Sequence, residues 1–259
     1  MKELKNIFLP FARVKISTQI ILSLAWLVLF TVLAAIFHNP LIPSPIQIFI
    51  KFGQLIQTSA LWVEFISSVE FTFKAMILSL IITMILTYLA VIPLINPLAQ
   101  FISKCRYLTL SGVIFLFTVL SSNVSGLKMS LLLFGIIPFF LTASLSTINT
   151  EQLGGEINKA MINKKNRWET IWEVLIVGKL DIMIEILRQN FAMAWLIIIG
   201  VEGLAMSEGG LGTLFIKAGR VLEMDKVFAL LLIVLLTGIL IDYLLKLIRT
   251  YSFPYLPKN

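Results

Sequence analysis

The sequence predicts an all-α membrane protein with about six transmembrane helices. Of its 259 residues, 58% are hydrophobic and 14% are charged, whereas a soluble domain carries about 25% charged residues. The mean hydropathy is +0.96. The apolar residues also cluster in stretches long enough to cross a bilayer, and basic residues flank these stretches. We therefore expect lipid, rather than water, to surround most of the chain.

Five apolar stretches have the length of a spanning helix. A helix rises about 1.5 Å per residue, so a hydrocarbon core of about 30 Å requires about 20 residues. A sixth stretch, 108–120, is half that length and is extended by polar residues, which predicts a short or irregular span. Without it, basic loops would lie on opposite sides of the membrane. The five full-length stretches are 18–37, 69–94, 129–148, 182–201 and 227–247.

The first stretch superficially resembles a secretory signal, because basic residues precede it. Its apolar run, 20–37, is longer than a typical signal core, and no small-x-small cleavage site follows it. We interpret it as an uncleaved first span behind a cytoplasmic segment, 1–17.

The distribution of basic residues predicts that both termini are cytoplasmic. Positive charge is retained on the cytoplasmic side of a membrane. With six spans, 14 of the 21 Lys and Arg residues fall in inner segments and six in outer segments, while Arg188 lies within the fifth span. Most of the chain, 18–250, is then a transmembrane domain, followed by a cytoplasmic tail, 251–259.

Polar residues within the spans have structural interpretations. Three charge pairs at helical spacing near the span ends are expected to be ion pairs: Glu70 with Lys74, Glu185 with Arg188, and Asp242 with Lys246. Ser79, Thr83 and Thr87 recur every four residues, and this stripe favours helix packing over solute contact. We find no intramembrane carboxylate that clearly indicates an ion relay.

The composition argues against several other functions. A single cysteine, Cys105, and a single histidine, His38, provide no Cys/His metal cluster and no material for a disulfide. The formal net charge of +7 is explained by residues that flank apolar segments, so it does not indicate nucleic-acid binding. No phosphate-binding loop of the form G-x-x-x-x-G-K-[S/T] is present, so we expect no nucleotide hydrolysis, and no catalytic, cofactor or metal site, in this chain.

The loop between the fourth and fifth spans, about 149–181, contains charges of both signs and a periodic apolar ridge. Trp168 and Trp172 lie one helical turn apart within it, which predicts short amphipathic helices. Such a ridge can lie in the lipid interface or insert into a groove on another protein. Composition does not separate these two possibilities.

Several segments between about residues 41 and 250 resemble permease subunits of ATP-binding-cassette (ABC) importers. The resemblance is to the group that transports nitrate, sulfonate, taurine and bicarbonate. Its segments are Leu41-Ile42-Pro43-Ser44-Pro45, Gly126-Leu127-Lys128, Gly135-Ile136-Ile137-Pro138, Val201-Glu202-Gly203-Leu204-Ala205 and Gly209-Gly210-Leu211-Gly212. Phe71 stands where the group often has arginine. The resemblance implies the fold of a type I importer permease, with the 149–181 loop docking on a cytoplasmic ATPase.

The resemblance also assigns roles to particular residues. The family's docking motif, E-A-A followed after three residues by G, falls on Asn158-Lys159-Ala160 and Lys164, of which only Ala160 matches. Val177 stands where the family has proline. The residues implied in ATPase coupling are Asn158, Lys159, Ala160, Lys164, Arg167, Trp168, Glu169 and Trp172. Glu202, Gly209, Gly210 and Gly212 lie at the predicted outer end of span five, as a gate, a contact for a binding protein, or a simple turn.

The implied partners complete this hypothesis. They are a cytoplasmic ATPase dimer that holds ATP and magnesium, a second permease copy or homologue, and an extracytoplasmic substrate-binding protein, all at a bacterial inner membrane. A secondary transporter or channel driven by an ion gradient is the main alternative. A membrane scaffold without transport activity is the other.

Overall fold

Every regular element in the described part of the chain is helical. The computed structural model describes residues 15–36, 43–148, 169, 178 and 180–252. Short 3-10 turns occupy Cys105–Tyr107 and Met206–Glu208. The α-helices are α1 (Ile16–Ile36), α2 (Pro45–Gln57), α3 (Ser59–Leu89), α4 (Asn96–Lys104), α5 (Leu110–Leu120), α6 (Val124–Ile148), α7 (Leu180–Leu204), α8 (Leu211–Arg220) and α9 (Met224–Ser252).

Four of these helices, α3, α6, α7 and α9, are long and apolar enough to cross a membrane. They correspond to four of the five full-length apolar stretches of the sequence, all except the first. This confirms a multi-pass helical membrane protein. The first predicted span forms the 21-residue helix α1. That α1 also crosses the bilayer, and that the total is six spans, remain predictions.

The half-length stretch has an irregular structure, as its sequence predicts. Helix α5 has 11 residues, and the segment before it, Asn96–Tyr107, is bent from it by 117°. If this bent pair is counted as one span, the described residues contain five candidate spans.

Helix α3 begins and ends earlier than the predicted 69–94 span. It starts at Ser59 and ends at Leu89. Pro93 explains the earlier end, because proline has no amide hydrogen and its ring clashes with the carbonyl four residues back in a helix. The earlier start places Glu64 and Ser68 on the helix, where they contact α7 and α8.

The core is centred on α6, which packs between α3 and α7. Its buried side chains Leu132, Ile136 and Phe140 recur every four residues and are at most 1% exposed. Such spacing places them on one face of the helix. At the periphery α2 packs against α9, where Lys51 Nζ lies 3.6 Å from Asp225 Oδ2.

Contacts between the spans define the direction of each helix. Lys128 near the start of α6 contacts Glu202 near the end of α7, whereas Ser144 near the end of α6 contacts Met183 near the start of α7. The two helices are therefore antiparallel. We call the end that contains Glu202 and the following glycines the glycine end, and the other the opposite end. The charge distribution predicts that the glycine end faces outward.

Candidate functional site

A buried ion pair joins α6 to α7 at the glycine end. Lys128 Nζ lies 2.9 Å from Glu202 Oε1, and the two side chains are 2% and 0% exposed. A buried charge without a partner costs several kcal/mol. Each of these two charges therefore depends on the other.

The carboxylate of Glu202 receives further hydrogen bonds. The Ser68 hydroxyl lies 2.8 Å from both carboxylate oxygens, and the Gly212 amide donates to Oε2 at 3.0 Å. The Leu211 amide in turn donates to the Ser68 oxygen at 2.9 Å. Residues of α3, α6, α7 and α8 thus meet at one carboxylate, which is the arrangement that a buried anion requires.

The Lys128 ammonium also contacts an aromatic ring. Its nitrogen lies 4.5 Å from the centroid of the Phe71 ring, at a distance where the ring face attracts a cation. Phe71 lies one residue before Thr72, which is itself buried. The aromatic residue at position 71 therefore covers a cation that faces it from α6.

The turn between α7 and α8 requires glycine for two reasons. Gly209 and Gly210 have φ values of 75° and 103°, a region that residues with a side chain rarely adopt. A Cβ atom on Gly212 would overlap the Ile199 carbonyl oxygen, and one on Gly210 would overlap the Glu202 carboxylate. These residues therefore form a tight turn with close backbone approach, while a gate or a contact for a binding protein stays a prediction.

A second carboxylate, that of Glu64, fixes the same turn. Its Oε2 accepts a hydrogen bond from the Gly210 amide, and Thr213 Oγ1 donates to the Gly209 carbonyl at 2.9 Å. The glycine turn is therefore attached to α3 through Glu64 and Ser68 and to α7 through Glu202. A displacement of any one of these elements disturbs the others.

A second ionic cluster joins α7 to α9 near the opposite end. Arg188 donates to Glu185 at 2.7 Å and to Asp242 at 2.6 Å, and Arg249 donates to Glu185 at 2.8 Å. The predicted Glu185–Arg188 pair is confirmed. Asp242 was expected to pair with Lys246 on its own helix, but it contacts Arg188 on α7. The reason is that the antiparallel packing of α7 and α9 places Arg188 beside it.

Two further sets of polar residues predicted from the sequence lie on α3. Glu70 and Lys74 form an ion pair of 2.5 Å on the exposed face of α3. Ser79, Thr83 and Thr87 are at most 2% exposed, in agreement with a role in helix packing. Within the described segments, the Thr83 and Thr87 hydroxyls have no hydrogen-bond partner.

The predicted site residues fall into two groups. Glu202, Gly209, Gly210 and Gly212 come together as one cluster. Of the coupling residues only Glu169 is described, and it is helical and exposed. The remaining coupling residues lie outside the described residues: Asn158, Lys159, Ala160, Lys164, Arg167, Trp168 and Trp172.

Sequence reasoning missed three members of the glycine-end cluster. Lys128 belongs to one of the segments that resemble the importer permeases, but the sequence predicts no partner for it, and it predicts no role for Glu64 and Ser68. For Lys128 a signal existed, since it is the one charged residue in the otherwise apolar and small-residue segment 124–148. Glu64 and Ser68 gave no such signal, because serine and glutamate near a helix start are ordinary.

These helices and clusters define a multi-pass helical membrane protein whose spans are joined by ionic contacts at both ends. Comparison with models of known protein families gives no match, and comparison with curated proteins gives none.

Proposed function

We propose that this chain is the transmembrane permease subunit of an ATP-driven ABC importer, in which it forms part of the pathway for a small solute. One observation carries the proposal. Three segments that resemble the importer permeases, 126–128, 201–205 and 209–212, supply Lys128, Glu202, Gly210 and Gly212 to a single buried cluster. These segments are far apart in the sequence, yet they contribute to the same site. This supports a shared architecture better than matches at unrelated positions would.

The connectivity of the spans suits mechanical coupling. The 149–181 loop connects the end of α6 to the start of α7, and the Lys128–Glu202 pair joins the same two helices at the glycine end. A force applied to the loop by an ATPase would therefore move α6 and α7 together. Alternating inward and outward states require such a rigid unit.

The energy source in this proposal is a separate chain, because the sequence contains no phosphate-binding loop. A cytoplasmic ATPase dimer would hold the ATP and magnesium. A second permease copy or homologue would complete the pathway, and a binding protein would deliver solute at the glycine end. The proposal includes a bacterial inner membrane as the location, with both termini in the cytoplasm.

Purification from native membranes tests the proposal. We expect the tagged chain to retain a partner that has a phosphate-binding loop and hydrolyses ATP. The double variant Trp168→Ala, Trp172→Ala should release that partner, because tryptophan anchors are frequent binding hot spots. Trp62→Ala, on α3 outside the loop, is the matched control and should retain it. A purified chain with no ATPase, or one whose ATPase binding ignores the loop variants, contradicts the proposal.

A second candidate function is an ion-gradient-driven transporter. The observation that favours it is the fully buried Lys128–Glu202 pair, since ionisable groups inside a membrane domain often belong to ion pathways. Vesicles that contain the chain and no ATPase distinguish the two functions. Chain-dependent proton or sodium flux in these vesicles would favour the ion-driven transporter.

A further inference from the structure

A cavity of about 220 Å³ lies between the α4–α5 bend and the two central helices α6 and α7. Its walls are mostly apolar, and two of the residues at its edge, Leu108 and Met193, are 56% and 38% exposed. The residues that line it include Arg106, Leu108, Phe134, Phe139, Met193 and Ile197.

The position of the cavity follows from contacts of α4. The Thr142 hydroxyl of α6 lies 3.4 Å from the Ser103 carbonyl oxygen, so the last turn of α4 sits beside the last two turns of α6, toward the opposite end. From there the cavity extends along Phe139 and Phe134 toward the middle of the bundle. Arg106 therefore lies at the extremity toward the opposite end, and the other extremity is among apolar side chains.

Arg106 supplies a cation at the extremity of the cavity toward the opposite end. Its guanidinium donates to the Tyr107 hydroxyl at 2.8 Å and lies 4.9 Å from that ring's centroid. Within the described residues no carboxylate forms an ion pair with it. Because a guanidinium has five donors, several remain for an anion, and phosphate matches their geometry.

We propose that this cavity binds one anionic phospholipid from the leaflet at the opposite end. One acyl chain enters past Leu108 and Met193 and lies against Phe134, and the phosphate contacts Arg106. An apolar cavity of about 150 Å³ is sufficient to bind benzene, so 220 Å³ accommodates a longer hydrocarbon segment. Basic pockets between transmembrane helices are a recurrent way to bind anionic head groups. The inference does not depend on the importer function.

Native mass spectrometry of the purified full chain provides the test. The protein is offered equal amounts of phosphatidylglycerol and phosphatidylethanolamine with identical acyl chains. We expect one bound phosphatidylglycerol to be preferred. Arg106→Gln should weaken that adduct about fivefold, the effect of losing about one cation near a membrane surface, and leave phosphatidylethanolamine unchanged. Lys104→Gln is the matched control, since it removes an equal charge two residues away without lining the cavity.

Further variants separate the acyl chain from the head group. Met193→Trp fills the mouth and should reduce both adducts, whereas water-soluble glycerol phosphate should not displace the bound lipid. Equal losses in Arg106→Gln and Lys104→Gln would show only a general surface charge effect and would overturn the proposal. Displacement by glycerol phosphate would overturn the role of the cavity. Circular dichroism and gel filtration test whether each variant is folded. If Met193→Trp does not fold, the comparison between Arg106→Gln and Lys104→Gln still decides the result.

Discussion

Lys128 and Glu202, 74 residues apart in the chain, form an ion pair of 2.9 Å that is almost completely excluded from solvent. This pair joins the first turns of α6 to the last turn of α7, and the glycine turn closes over it. Besides this ion pair, the Glu202 carboxylate accepts hydrogen bonds from the Ser68 hydroxyl and the Gly212 amide.

Removal of either charge alone should destabilise the protein strongly. Lys128→Met leaves a buried carboxylate without its cation, and Glu202→Gln leaves a buried ammonium, so each should cost about 3–5 kcal/mol. The double variant should cost less than the sum, because no uncompensated charge remains. Thermal unfolding in detergent, followed by fluorescence-detected gel filtration, measures all three. Additive losses would show that the two side chains act independently.

Exchanging the two charges should not restore stability. In the variant Lys128→Glu, Glu202→Lys, the Gly212 amide and the Ser68 hydroxyl would face an ammonium, which accepts no hydrogen bond. We expect its melting temperature to lie below that of the uncharged double variant. A swapped pair as stable as the native pair would mean that the surrounding donors contribute little.

Replacement by alanine should have opposite effects on stability at two glycines of α8. Gly212→Ala forces a Cβ atom into the Ile199 carbonyl and should cost about 1–3 kcal/mol, as overpacking generally does. Gly219→Ala meets no atom within 4 Å, and alanine favours a helix over glycine by about 0.5–1 kcal/mol. Equal melting temperatures for the two variants would contradict this description of the turn.

At the opposite end, Arg188→Met should separate α7 from α9. The change removes hydrogen bonds from Arg188 to both Glu185 and Asp242, and we expect a loss of about 1–3 kcal/mol. Lys226→Met is the matched control, because its partner Glu223 lies three residues away, directly before the same helix, so this ion pair does not join two helices. Similar melting temperatures for Arg188→Met and Lys226→Met would show that the inter-helix contacts are not stabilising.

The spans were largely predictable from the sequence, whereas their ionic partners were not. A run of about 20 apolar residues has few alternatives to a spanning helix, and four of the predicted runs became such helices. Pro93 ended α3 earlier than hydropathy alone indicated, because hydropathy does not record the missing amide hydrogen of proline.

Contacts between distant segments explain what the sequence did not reveal. Local spacing correctly paired Glu185 with Arg188, since three residues separate neighbours on a helix. The same rule directed Asp242 to Lys246, yet antiparallel packing of α7 and α9 placed Arg188 beside it. The Lys128–Glu202 pair has no local spacing at all, so only the fold could reveal it.

Cysteine accessibility tests both the orientation and the bent span. In a Cys105→Ser background, Ser122→Cys should react with an impermeant maleimide in intact cells. Gln100→Cys and Lys164→Cys should react only after the membrane is disrupted, because the basic segments are predicted to be cytoplasmic. Labelling of Gln100→Cys and Ser122→Cys from the same side would mean that the α4–α5 pair is re-entrant rather than spanning.

The proposal that this chain is moved by a separate ATPase is tested most directly by reconstituting the purified chain alone into sealed vesicles. A pH-sensitive dye and a sodium-sensitive dye then follow imposed gradients. We predict that gradients in these vesicles decay at the rate of protein-free vesicles, because a permease subunit without its ATPase performs no driven transport. A faster decay that requires the chain would contradict the importer function.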